Sequence, residues 1–112
     1  MFRLESGTSR TNLRLNIKMS LPELSEQDRN WYILKGYEIK ESPNGYWREW
    51  RLNGNLHRED GPAVEYADGT REWWVNGKLH REDGPAIEWA DGDQEWWVNG
   101  EPVSREEFKN NS

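Results

Sequence analysis

From Asn12 to Met19 apolar and polar residues alternate: Leu13, Leu15, Ile17 and Met19 fall on one side, Arg14, Asn16 and Lys18 on the other. A period of two predicts a β-strand, and one at this end of the chain would suit an exposed sheet edge that needs covering. Ser20-Leu21-Pro22-Glu23 has the form of a capping box with Pro near the first turn, which predicts a short helix to about Arg29. Residues 1–30 are therefore expected to form a leading strand and helix. Beyond them the pattern changes.

From the forties onward the chain repeats itself every 23 residues. Leu56-His57-Arg58-Glu59-Asp60-Gly61-Pro62-Ala63 recurs as Leu79-His80-Arg81-Glu82-Asp83-Gly84-Pro85-Ala86. Trp73-Trp74-Val75-Asn76-Gly77 recurs as Trp96-Trp97-Val98-Asn99-Gly100, and an earlier copy stands at Trp50-Arg51-Leu52-Asn53-Gly54. A fixed period of this length marks a unit that buries its apolar face by stacking on its neighbours. Tyr32-Ile33-Leu34-Lys35-Gly36 looks like a worn first copy, only 18 residues before the next one. At the other end Pro102-Val103-Ser104-Arg105-Glu106-Glu107-Phe108 replaces the repeat and is expected to cap the array. We take residues 31–109 as the repeat domain and 110–112 as a tail.

Each unit predicts antiparallel strands. Arg71-Glu72-Trp73-Trp74-Val75 is rich in strand formers, and Asn76-Gly77 is the strongest short signal for a type I′ hairpin. Lys78 to Arg81 would be the return strand, broken by Glu82-Asp83-Gly84-Pro85; Ala86 to Ala90 alternates, and Asp91-Gly92 turns again. The fold class expected is mainly all-β: an antiparallel meander of stacked 23-residue hairpins, about three short strands per unit, with the N-terminal strand and short helix.

Alternation assigns faces. Trp73 and Val75 share one side, Glu72 and Trp74 the other. Trp50, Trp73 and Trp96 are equivalent in all three copies and are expected to form the core ladder, with Val64, Tyr66, Ile87 and Trp89 covering the same core. The second Trp of the pair, Trp74 and Trp97, is replaced by Arg51 in the first copy. A position that accepts both Trp and Arg is expected to be partly exposed.

Trp74-Val75-Asn76-Gly77-Lys78-Leu79-His80 followed by Gly84 resembles the core of MORN repeats, and Trp97-Val98-Asn99-Gly100 resembles the same segment without its His. The match runs from about Tyr46 to Gly100. It departs from the MORN pattern after His80, where Arg81-Glu82-Asp83 stands instead of Gly. The string is closer to MORN-variant repeats with an Asn-Gly-Lys-Leu core from bacterial antitoxin-type and phage proteins. In its fuller form, through Leu-His-Arg-Glu-Asp-Gly-Pro-Ala, it resembles repeats of phages and large DNA viruses. The resemblance implies a stacked hairpin sheet and a binding role rather than a reaction.

Composition raises a question that the repeat answers. Leu, Ile, Val and Phe are 19 of 112 residues, below the roughly 20% under which disorder is suspected. The 8 Trp and 4 Tyr all lie between Trp31 and Trp97, and each buries roughly 150–250 Å², so aromatics at repeat-equivalent positions can supply the core. There is no Cys, hence no disulfide, thiol chemistry or cysteine zinc site. No apolar run is long enough for a membrane span and no secretory h-region is present. We expect a cytoplasmic protein, in the host cytoplasm if phage-encoded, with Met19 a plausible alternative start.

The net charge of −6 is uneven. Residues 1–20 hold Arg3, Arg10, Arg14 and Lys18 against Glu5, while the rest holds 20 acidic against 11 basic residues. An acidic body argues against direct nucleic-acid binding and against an anionic membrane, and it suits a basic protein such as a nucleic-acid-binding host factor.

His57-x-x-Asp60 and His80-x-x-Asp83 are the candidates for catalysis or metal binding. Both recur at the repeat period, which favours a structural role in which His and Asp bond the Glu-Asp-Gly-Pro loop and the Arg pairs with a Glu of the next unit. No nucleophile constellation or phosphate loop accompanies them, so no catalytic residues, metal ligands or cofactor are expected. The candidate binding residues are Trp47, Arg51, Trp74 and Trp97 with Glu72 and Glu95, an aromatic patch fringed by carboxylates. The bland alternative for this patch is packing beneath residues 1–30. The function expected is non-enzymatic protein binding, a phage or prophage inhibitor of a host factor of the anti-defence or anti-CRISPR kind. The alternatives are an antitoxin-type or structural repeat module, and a hydrolase or metal-dependent enzyme using His57 and His80.

Overall fold

A computed structural model describes residues 19–110. The strand expected over residues 12–19 lies, but for Met19, outside them. The described chain is mainly antiparallel β-sheet with a short helix at each end. In order it runs α1 (Glu26–Leu34), β1 (Tyr37–Glu41), β2 (Trp47–Leu52), β3 (Asn55–Leu56), β4 (Val64–Tyr66), β5 (Arg71–Glu72), β6 (Trp74–Val75), β7 (Lys78–Leu79), β8 (Ile87–Glu88), β9 (Gln94–Val98), β10 (Glu101–Val103) and α2 (Arg105–Asn110). The main sheet has the order β10-β9-β8-β5-β4-β2-β1, with β3 also paired to β2, and β6–β7 form a separate hairpin.

The Asn-Gly pairs make the turns that their sequence predicts. Asn76 and Gly77 have φ of 52° and 79°, and the other two pairs match them closely. Positive φ at both central residues is the type I′ geometry, whose twist suits a two-residue hairpin. Backbone bonds recur at the sequence period. Trp50 donates to Ala63 O at 2.8 Å and Trp73 to Ala86 O at 2.8 Å; Gly77 donates to Leu56 O and Gly100 to Leu79 O, both at 2.9 Å.

The N-terminal helix differs from its prediction in both bounds. Its N-cap is Ser25, whose hydroxyl accepts the Asp28 N–H at 3.0 Å. Ser20 cannot cap it, because Leu21 N–H bonds Gly45 O and Pro22 O accepts from Arg48, so residues 20–24 lie extended across the sheet. The helix then runs through Leu34, past the expected stop at Arg29 and across the boundary drawn at residue 30. Tyr32 to Gly36 is thus no worn hairpin: it is the last helical turn, closed by Gly36 in the left-handed region at φ 97°. The C-terminal expectation fares differently. Pro102 to Phe108 does end the sheet, as β10 followed by α2.

Faces follow from register, since residues directly opposite in an antiparallel pair point the same way. Val64 lies opposite both Glu49 and Glu72, and Ile87 opposite both Glu72 and Glu95. Val64, Tyr66, Ile87 and Trp89 therefore occupy the face away from Trp50, Trp73 and Trp96, which corrects the single-core expectation. The fold has a thin core on each side of one sheet. On the first face Tyr32, Trp50, Ala63, Ala86 and two polar residues, Arg48 and His57, are buried; on the second, Val64, Ile87 and Thr70. The Trp ladder is also uneven. Trp50 is 1% exposed, whereas Trp73 and Trp96 are only partly buried.

Candidate functional site

The second face carries every candidate binding residue. Across five consecutive strands runs a row Glu49, Val64, Glu72, Ile87, Glu95. Strands lie about 4.8 Å apart, so successive carboxylates of the row stand about 10 Å from one another. Two residues beyond each Glu stand Arg51, Trp74 and Trp97; Arg51 and Trp97 share the strand and side of their Glu, and Trp74, which opens β6, is held beside Glu72 by its indole N–H. Trp47 lies two residues before Glu49 and opposite Tyr66.

Each carboxylate positions its neighbour. Trp74 Nε1–H donates to Glu72 Oε1 at 2.8 Å, and Trp97 Nε1–H to Glu95 Oε1 at 3.0 Å. Arg51 Nε–H donates to Glu49 Oε1 at 2.9 Å. The tolerance for both Trp and Arg has its reason here: the position requires an N–H donor that reaches back to the Glu. Partial exposure holds as well, since all three side chains are half-buried. Glu95 also accepts from Trp89 Nε1 at 2.9 Å, so one carboxylate holds two indoles. Trp89, which sequence reasoning placed in the core, is exposed beside them. Its signal was available, because Trp89 and Glu95 have the same parity about the Asp91-Gly92 turn.

Asp68, Asp91 and Asp93 line a shallow hollow beside Trp89 and extend the negative rim. The Thr70 N–H bonded to Asp68 draws its carboxyl below the usual range, with burial opposing, so it is charged at neutral pH. Residues 19–34 do not cover this face. They pack on the other one, through Pro22 against Arg48 and Tyr32 against Trp50.

The His-Arg-Glu-Asp-Gly-Pro segments lie on the first face, and their side chains are engaged in holding the chain. His57 Nδ1 accepts the Asn76 N–H at 2.9 Å and His80 Nδ1 the Asn99 N–H at 3.0 Å. With Nδ1 accepting, the ring proton belongs on Nε2, which faces Glu59 or Glu82 at 3.3 and 3.2 Å. The structural role holds, but the partners differ from those expected. Each His ties its own unit to the next hairpin turn through Nδ1, and meets its own loop at the Glu side chain rather than at the backbone. Each Asp takes the Arg of that loop, at 3.0 Å for both Arg58–Asp60 and Arg81–Asp83. Arg58 stacks on Trp50 with its guanidinium carbon 3.7 Å from the ring centre, and Arg81 on Trp73 at 3.8 Å. Glu65 and Glu88 stand 3.8 and 3.2 Å from these guanidinium groups. Sequence reasoning missed the Arg–Trp stacks; the constant separation of eight residues in both copies was their signal.

Among the described residues no group of three or more His, Asp or Glu is gathered as a metal site, and no helix is long and apolar enough to cross a membrane. Comparison with family models, with curated proteins and with solved structures finds no match for this chain.

Proposed function

We propose that the protein is a non-enzymatic binding protein that captures a basic protein partner on its acidic, Trp-rich face. The observation that carries this reading is the row Glu49, Glu72, Glu95. It sets carboxylates at a regular spacing of about 10 Å between half-exposed aromatic and guanidinium groups. Among the described residues, Glu49 and Glu72 each commit one oxygen to the neighbouring donor and keep the other for an incoming Lys or Arg. Charges of this kind select partners and speed encounter, while held indoles supply rigid contact area. The two histidines have both ring nitrogens engaged, which supports binding rather than proton transfer.

The resemblance of the repeat to MORN-variant and phage sequences supports a finer reading. The chain would be an array of stacked 23-residue hairpins, encoded by a phage or prophage, that inhibits a nucleic-acid-binding host factor in the cytoplasm.

A pull-down with the tagged protein tests the core of the proposal. Glu72→Lys/Glu95→Lys should lose a basic partner that the parent protein retains, and raising salt from 0.1 to 1 M should release it, because the Debye length falls from about 10 to about 3 Å. Equal recovery by the variant and the parent, or recovery only of acidic proteins, refutes it.

A further inference from the structure

On the face opposite the acidic row an open groove of about 820 Å³ lies between the two His-Arg-Glu-Asp-Gly-Pro loops. Trp73 and Val75 form its floor; Asp60 and Gly61 stand on one wall, Arg81 and Asp83 on the other. Its size falls within the roughly 300–1,000 Å³ of ligand clefts. What belongs in it can be read from the chain itself, one repeat earlier.

Over Trp50, the equivalent space is filled by Tyr32 from α1. The two rings meet edge-on at 5.9 Å and 66°. The Tyr32 hydroxyl donates to Asp60 Oδ2 at 3.0 Å and accepts from Arg58 Nη2 at 2.9 Å. Arg58 is fixed by its other bonds, Nε–H to Asp60 Oδ1 and Nη1–H to Pro62 O, each at 3.0 Å. Arg81 makes the same two bonds, to Asp83 Oδ1 and Pro85 O, each at 3.0 Å. Arg81 Nη2 and Asp83 Oδ2 are left without a partner among the described residues. These are the two atoms whose counterparts hold the Tyr32 hydroxyl. Exposure records the difference: the side chain of Arg58 is 13% exposed and that of Arg81 21%, Asp60 55% and Asp83 87%. At the last repeat the chain again supplies a lid, with Phe108 of α2 at 6.5 Å from Trp96. Both outer Trp residues of the ladder thus meet an aromatic ring from a terminal helix, and among the described residues the middle one meets none.

We propose that the groove over Trp73 is a binding site for a tyrosine side chain presented by a protein partner. The ring would lie against Trp73 and Arg81, and the hydroxyl would donate to Asp83 Oδ2 and accept from Arg81 Nη2. The site lies on the other face from the acidic row and does not rest on the binding role given to it.

The test is a titration of the full chain with N-acetyl-tyrosinamide and N-acetyl-phenylalaninamide, followed by two-dimensional NMR. The tyrosine compound should shift the Trp73 indole N–H and the Arg81 Nε–H saturably, and its ring protons should give cross-relaxation peaks to Val75 methyls. The phenylalanine compound should bind about tenfold more weakly, for want of two hydroxyl hydrogen bonds. Asp83→Ala should abolish the preference, whereas Trp74→Ala/Trp97→Ala should leave it intact even where capture of a basic partner is lost. Equal binding of the two compounds, or shifts confined to Trp89 and Trp97, overturns the proposal, as does no shift at all. The cross-relaxation measurement uses the unmodified chain, so poor folding of Asp83→Ala would not rescue it.

Discussion

Tyr32→Phe removes one oxygen and leaves the ring in place. That oxygen links α1 to the loop over Trp50, donating to Asp60 at 3.0 Å and accepting from Arg58 at 2.9 Å. Both partners are charged, and a hydrogen bond to a charged group is worth about 1.5–3 kcal/mol. The two losses do not add in full. Asp60 is more than half exposed and rehydrates readily, while Arg58 keeps its bonds to Asp60 and Pro62 and its stack on Trp50. We therefore expect Tyr32→Phe to cost about 1–2 kcal/mol, most of it from Arg58, whose side chain cannot turn to water without leaving the Trp50 ring. Tyr32→Ala should cost more, about 3–5 kcal/mol in all, because it also uncovers Trp50. Urea unfolding followed by Trp fluorescence measures both, with Tyr32→Phe shifting the midpoint at unchanged slope. A Tyr32→Phe loss below about 0.5 kcal/mol would refute the claim that the hydroxyl bridge holds the helix to the sheet, since changes that small are typical of surface positions. It would also weaken the case for an equivalent phenol site over Trp73.

Three further outcomes follow from the same contacts. Arg51→Trp should keep stability within about 0.5 kcal/mol of the parent because an indole N–H can still serve Glu49, whereas Arg51→Leu should lose about 1 kcal/mol in the same urea assay. Ser104→Ala should fray α2, since Ser104 and Glu107 bond each other's backbone N–H at 3.0 Å in a capping box; about 1 kcal/mol, seen as loss of amide protection at Glu107 and Phe108, is expected. Burial raises the phenol pKa of Tyr32, Tyr37 and Tyr66 above the ordinary 10.0, so the folded chain holds those protons longer than the unfolded chain does. Their contribution to stability is full below pH 10 and is lost as pH climbs through the raised values; urea midpoints that stay level from pH 9 to 11.5 would contradict this.

Local chemistry was legible in this sequence, and its assembly was legible only where the repeat carried it. The three Asn-Gly turns and the equivalence of Trp50, Trp73 and Trp96 depend on neighbours a few residues apart, and the structure contains them. The assignment of Val64 and Ile87 failed for a reason of parity. A hairpin that gains or loses one residue reverses every side chain beyond it, and only the register opposite Glu49, Glu72 and Glu95 decides which way they point. The start of α1 failed for another reason. Ser20-Leu21-Pro22-Glu23 and Ser25-Glu26-Gln27-Asp28 compete as caps, and the winner is set by bonds from Leu21 to Gly45 and from Arg48 to Pro22, beyond any local window.

The same distinction bears on function. Trp50 and Trp73 sit in nearly the same repeat sequence beneath the same stacked arginine, yet one is sealed and the other partly open. The stacked arginine does not separate them. The difference comes from Tyr32, 18 residues before Trp50 and outside the repeat. Repeats therefore set the recurring surface on both faces, and the non-repeating ends decide which of its sites the chain fills for itself. The residues most informative about partners are then the ones at which equivalent positions diverge: Arg51 against Trp74 and Trp97 on the acidic face, and the partly open ring of Trp73 against the buried ring of Trp50 on the other.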